Sequence, residues 1–184
     1  MNKVAKFEKV SYEQFKKDWI KHMLGGNLEE YNKKELEEID ERIRKHYDNI
    51  KLPKRATKGS AGYDIFSPAS FAITNQHSMV IPTGIRCSIK SDWVLTLYPR
   101  SGHGFKYGIR LSNSVGIVDS DYYNANNEGH ILVKLVNESV VNESTFCIES
   151  GQAFCQGVFL PYGVTEDDDT DGERIGGFGS TDKK

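Results

Sequence analysis

The sequence predicts an all-β body of jelly-roll or distorted-barrel type with an added N-terminal helical hairpin. Three observations carry that expectation. From Lys54 onward, short apolar runs recur at residues 79–82, 85–89, 93–98, 130–137, 145–149 and 153–160. Clusters of Gly, Pro, Asn and Ser separate them, which is the punctuation of antiparallel strands rather than of a parallel α/β sheet. Residues 11–49 instead repeat apolar side chains every three or four positions, the period of a helix. The third observation is the tail from Thr165, which turns acidic and then glycine-rich and offers little to a core.

Residues 1–10, with Val4, Phe7 and Val10 among polar neighbours, are expected to form an opening strand. Ser11 with Gln14 three positions later reads as a capping box, opening a helix that carries Tyr12, Phe15, Trp19 and Met23. Gly25-Gly26 ends it. Asn27 with Glu30 predicts the start of a second helix, with Leu28, Tyr31, Leu36, Ile39, Ile43 and Tyr47 on roughly one face. That helix should end near Asn49, before Pro53. The chain thus divides into an opening strand (1–10), a helical insertion (11–50), a β body (51–164) and a flexible C-terminal lid (165–184). The helices are expected to pack their apolar stripe on the body or on a neighbouring subunit, without a catalytic part.

With 184 residues, 38% of them hydrophobic, and a mean hydropathy of -0.55, one domain with an appendage can fill a core. A net charge of -2 argues against a nucleic-acid partner, which calls for a basic patch. No apolar run reaches the ~18 residues of a membrane span, and the N-terminus lacks the apolar stretch of a signal peptide. The three cysteines (Cys87, Cys147, Cys155) form no C-x-x-C pair and predict buried, reduced thiols in a cytoplasmic protein. The five histidines show no zinc-ligand spacing.

The candidate site residues fall into five groups. Ser60-Ala61-Gly62-Tyr63-Asp64 joins small residues, which allow close backbone approach, to a carboxylate. Arg100, Ser101 and Gly102 supply a cationic fork, a hydroxyl and an open backbone N–H, all suited to phosphate oxygens. The turn at 113–122 brings an amide (Asn113), Gly116, Ile117 and Val118, a carboxylate (Asp119) and an aromatic face (Tyr122). Backbone groups of a tight hairpin there could match the edge of a pairing base, and hydrogen-bonded sites reject wrong edges strongly. Gln156 follows Gly151 in a fourth group. The tail supplies Arg174 and then Gly-Gly-Phe-Gly-Ser-Thr, in which Phe178 can stack on a base while Gly179, Ser180 and Thr181 wrap phosphates.

In this order the five groups resemble the signature motifs of the trimeric dUTPase family, over roughly residues 52–181. The resemblance implies a dUTPase-like jelly roll and hydrolysis of dUTP to dUMP and pyrophosphate, limiting uracil in DNA and supplying dUMP for thymidylate. It implies Mg²⁺ held through water by Asp64 and Gln156, and a homotrimer whose active sites draw motifs from neighbouring chains. Asp119 would deprotonate the attacking water, and Tyr122 would lie against the sugar. Three features depart from the minimal family. Ala153 stands where the fourth motif usually has arginine, residues 11–49 add helices, and residues 123–128 lengthen the turn. The last two look like a phage or Gram-positive branch. The rivals are a dCTP deaminase of the same fold, and a dUTP-responsive signalling trimer with a regulatory protein partner.

Overall fold

The computed structural model describes residues 2–139, 145–172, 174 and 176. Strand β1 (Ala5–Lys9) leads into helices α1 (Tyr12–Met23) and α2 (Lys33–Asp48). Ser11 caps α1, its Oγ accepting from the Gln14 N–H at 3.1 Å. The other half of the expected capping box is not made by Gln14. Glu128, far along the chain, accepts from the Ser11 N–H at 2.7 Å and from its hydroxyl at 2.6 Å. The Gln14 amide is thereby left to turn inward.

The second helix begins later than predicted. Asn32 and Glu35 form its capping box, while Asn27 only accepts from the Glu29 N–H in a preceding turn. Both pairs have the same Asn-x-x-Glu spacing, so cap chemistry cannot choose between them. The structure uses the second pair; Ile39 and Ile43, one turn apart on this helix, are buried, whereas Tyr31 and Leu36 stay exposed. On α1 the buried face is Phe15 and Trp19, with ring centroids 5.3 Å apart. Each such side chain contributes about 1.5–3 kcal/mol on burial.

The β strands are β2 (Lys54–Arg55), β3 (Tyr63–Phe66), β4 (Phe71–Thr74), β5 (Ser78–Pro82), β6 (Ile85–Ile89), β7 (Trp93–Pro99), β8 (Ile109–Leu111), β9 (Gly116–Val118), β10 (Leu132–Asn137), β11 (Thr145–Ile148) and β12 (Ala153–Pro161). They pair antiparallel in the orders β2-β3-β12-β7-β9, β5-β10-β8, β11-β4 and β1-β6. Ile65, Ile73, Leu95, Ile109, Leu135 and Phe154 fill the space between them. The structure is mostly β, as the punctuation predicts.

Two local features differ from expectation. The segment after Arg100 is a short helix, α3 (Ser101–Tyr107), disguised in the sequence by Gly102 and Gly104, which are poor helix formers. The hairpin expected at 113–122 is no two-strand ladder. Strand β8 pairs with β10 and β9 with β7, so the turn at 112–115 bridges two sheets. The acidic run at 166–171 is exposed, as predicted. Among the described residues no helix is long and apolar enough to cross a membrane.

Cys87 and Cys155 are buried as expected, but Cys147 is exposed, because it alternates outward on β11 between the buried Phe146 and Ile148. Burial pushes both buried thiols up to about 12, so on the order of 10⁻⁴ of either is ionised near pH ~8. A thiol-reactive dye should therefore label the native chain once, rapidly, at Cys147. The two remaining thiols should react only in denaturant. A second fast thiol in the native protein would contradict this packing.

Candidate active site

Strand β7 carries two clefts, one on each side. On the β9 side, Gly116 stands opposite Leu97, and a Cβ there would lie 3.0 Å from the Leu97 Cβ. The missing side chain lets β9 close down on β7. Because β8 and β9 pair outward, their facing edges share no ladder. Between them opens a cleft of about 650 Å³ whose lining includes Leu97, Leu111, Asn113, Gly116, Ile117 and Val118. The opposite wall was not foreseen: Gln14, Lys17, Asp18, Lys21 and His22 of α1 line the same cleft. The helices pack their apolar stripe on the body as expected, and α1 in addition walls this cleft.

Chain leaving β9 passes through Asp119, the cap of a 3₁₀ turn (Ser120–Asn124). The Asp119 side chain is half exposed and meets the Arg174 guanidinium. Arg174 also donates to Asp121 at 2.9 Å, so the two carboxylates share this cation. Tyr122 was expected to offer a face to a sugar. In this structure it is buried beneath Arg174, whose guanidinium lies 5.7 Å from the ring centroid, and its hydroxyl donates to the His130 carbonyl at 2.8 Å. Burial pushes the Tyr122 hydroxyl up to about 12, so it remains a donor.

The other cleft, about 340 Å³, lies where β3, β12 and β7 run side by side. Register explains the grouping. Asp64 pairs with Gln156, and Gln156 with Tyr98, one residue before Pro99 and two before Arg100. Gly62, Asp64, Arg100, Ser101 and Gln156 line this cleft. Arg100 Nε lies 3.4 Å from Asp64 Oδ1. The Gln156 amide donates to the Pro99 carbonyl at 3.1 Å, and its Oε1 occupies the space a Cβ on Gly62 would need, 2.7 Å away. Where the usual arginine is replaced, the Ala153 carbonyl accepts from Arg100 at 3.4 Å. Gly102 sits exposed in the first turn of α3, outside the cleft lining.

Of the residues expected to share one site, Asn113, Gly116, Ile117 and Val118 line one cleft and Asp64, Arg100, Ser101 and Gln156 the other, with no common lining residue, while Asp119, Tyr122 and Arg174 line neither. Phe178, Gly179, Ser180 and Thr181 lie outside the described residues. Sequence reasoning missed Asp18, His130 and Gly129. A lone histidine or an aspartate inside a helical stripe carries no motif, but the Glu-Gly step closing an Asn-rich loop was a usable turn signal. Gly129 has φ +66°, and a Cβ there would meet the Tyr122 carbonyl at 2.7 Å and Tyr123 Cα at 2.8 Å. Gly129→Ala should cost about 1–3 kcal/mol of stability and disturb the Asp119 turn. A Tm within a degree of wild type would overturn this.

A family model for dUTPase matches residues 48–181. The deoxyuridine 5'-triphosphate nucleotidohydrolase of Lactococcus lactis subsp. lactis (strain IL1403) is 41% identical over 135 residues, 72% of this chain and 88% of that protein. The protein of the same description from Tolumonas auensis is 36% identical over 155 residues, 80% of this chain and 95% of its own. Among solved structures, the dUTPase from Streptococcus mutans is 38% identical with a TM-score of 0.57, covering 65% of this chain and 91% of that one. The dUTPase from phage phi11 of S. aureus, at 24% identity and a TM-score of 0.56, covers 68% of this chain and 92% of its own and shares the fold. This chain belongs to the dUTPase family.

Proposed function

We propose that the chain hydrolyses dUTP to dUMP and pyrophosphate, in a jelly-roll homotrimer whose copies bring the two clefts together. The observation that carries this reading is the open edge between β8 and β9, with Asp119 directly after it. Asn113, Gly116, Ile117 and Val118 line that cleft, and the backbone groups that β9 does not give to β7 suit the edge of uracil. The wall against Leu97 leaves little room for a methyl group at C5, and Tyr122 behind the sugar would disfavour a 2′-hydroxyl.

Asp119 takes a proton from water, the resulting hydroxide attacks the α-phosphorus, and the bond to the α–β bridging oxygen breaks. Pyrophosphate leaves with that oxygen. Arg100 and Ser101, from a neighbouring copy, balance the phosphate charge in a position fixed before reaction. Arg174 is held by Asp119 and Asp121 within one chain. On this reading the closing tail moves that cation toward the γ-phosphate, freeing Asp119 for water and uncovering Tyr122. Phe178 would cap the base, while Gly179, Ser180 and Thr181 wrap the phosphates and exclude bulk water.

Among the described residues no three His, Cys, Asp or Glu side chains cluster to hold a metal directly. The phosphate cleft nevertheless fits a hydrated ion. Asp64 offers a carboxylate there, and Gln156 points Oε1 into the cradle left by Gly62. Both would accept from the waters of Mg²⁺, which when bound supplies positive charge to the triphosphate.

Incubation with each dNTP and Mg²⁺ should release pyrophosphate from dUTP alone, and ammonia from dCTP would move the chain to the deaminases of this fold. Asp119→Asn should keep nucleotide affinity and lose roughly 10²–10⁴ in turnover; near-normal turnover would remove Asp119 from the role of base. Ending the chain at Glu173 should abolish most activity while leaving the unfolding transition of the body unchanged. Intact steady-state rates after that truncation would refute closure by the tail.

A further inference from the structure

The family model begins at residue 48, so α1 and nearly all of α2 precede what it matches. Yet α1 walls the base cleft and is fastened to the turn that carries Asp119. We propose that α1 is a working part of the nucleotide site, and that Asp18 is a positioning residue which acts through His130 on the Asp119–Tyr122 turn. The proposal rests on the assignment of Asp119 and Tyr122 given above.

His130 is fully buried, with both ring nitrogens engaged. Its Nε2 lies 2.8 Å from the Gly84 backbone nitrogen. A backbone N–H can only donate, so Nε2 is the acceptor and Nδ1 carries the proton. That proton is donated to Asp18 Oδ2 at 2.6 Å, and the Gln14 amide donates to the same oxygen at 2.7 Å. Burial alone would raise the Asp18 carboxyl, but the hydrogen bonds from His130 and Gln14 hold it below the usual carboxylate range. On the far side, the His130 carbonyl accepts from the Tyr122 hydroxyl at 2.8 Å, which in turn accepts from the Asn127 amide at 2.8 Å. The Tyr122 N–H returns to the Asp119 carbonyl at 3.2 Å. An unbroken run of short contacts thus leads from helix to carboxylate turn.

A second fastening lies two turns earlier on the same face of α1, where Ser11 holds Glu128. Both fastenings reach the loop at 123–130. The two segments by which this chain exceeds the minimal family, the added helices and the lengthened turn, grip each other here. A helix kept only for stability could rest its apolar stripe anywhere on the body. This one presents Gln14, Lys17 and Asp18 to the cleft and spends its buried carboxylate on the turn beneath it.

The test compares Asp18→Ala, Asp18→Asn and Glu128→Ala in the full chain, measuring kcat and KM for dUTP by pyrophosphate release well below each Tm. Asp18→Ala leaves Nδ1–H of His130 unpaired and should lower kcat about tenfold or more, with a smaller change in KM, since misplacement by ~1 Å can cost on the order of 10²-fold. Asp18→Asn retains an acceptor for His130 and should recover most of that loss. The double variant with Tyr122→Phe should lose less than the product of the two single losses, as residues acting through one another do. A folded Asp18→Ala protein with kcat and KM within about twofold of wild type would overturn the proposal, as would fully multiplicative losses in the double variant. If Asp18→Ala does not fold, Glu128→Ala decides. A fall in kcat of about threefold or more supports positioning, and an unchanged kcat overturns it. Asp119→Asn runs in parallel, and its retained activity would sink the site assignment itself, whatever Asp18 does.

Discussion

Strand β7 is the constraint on which the site depends. One edge takes β9 and the other takes β12, so a single strand borders both clefts. Its Leu97 backs the base cleft, and its end at Pro99 delivers Arg100 and Ser101 to the phosphate cleft. Within one chain the two groups of residues line separate clefts with no shared lining, and bringing them together would require the sheet to bend. Packed interiors resist such bending. The proposed assembly follows from that rigidity, because a second copy can present its Arg100 cleft to the first copy's Asp119 where the chain itself cannot.

Charge placement on the turn after β9 follows a related logic. Asp119 and Asp121 are close enough to share one guanidinium, and two carboxylates so near each other are held more easily with a cation between them. Arg174 fills that place and covers Tyr122 as well. On the proposed reading the triphosphate competes for the same cation. Its charge is larger and its oxygens match the planar fork, so tail movement and exposure of the catalytic carboxylate become one event rather than two.

Much of the fold was legible because strands and helices leave different periods in a sequence. The runs ending at Ile89, Pro99 and Pro161 were placed within a residue or two, and the first helix was found from its cap and stripe. The rest failed for identifiable reasons. Asn-x-x-Glu occurs twice before α2, and nothing in that spacing separates the copies. Glycines hid α3. A short loop between two strands reads as a hairpin whether or not the strands pair with each other, so the bridge between sheets at 112–115 could not be seen. Motif chemistry named Asp64, Arg100, Asn113 and Gln156, but their division between two clefts is a property of register and sheet order. Asp18 and His130, 112 positions apart, had no local signature at all.

That last pair also bears on why the added helices persist. A helix as short as α1 is marginal by itself in water, and a buried carboxylate is costly unless it is fully hydrogen-bonded. Each liability is met by the other insertion. The lengthened loop brings Glu128 to the helix cap and leads straight to His130, which satisfies Asp18. Lengthening a surface loop by a few residues costs only tenths of a kcal/mol in closure entropy, less than a helix cap (~1 kcal/mol) contributes. Removing the helix would leave His130 Nδ1 facing an open cleft, and removing the loop would leave Ser11 and Asp18 without their partners. Each segment supplies hydrogen-bond partners that the other uses, so a dUTPase that carries one has a physical reason to carry the other.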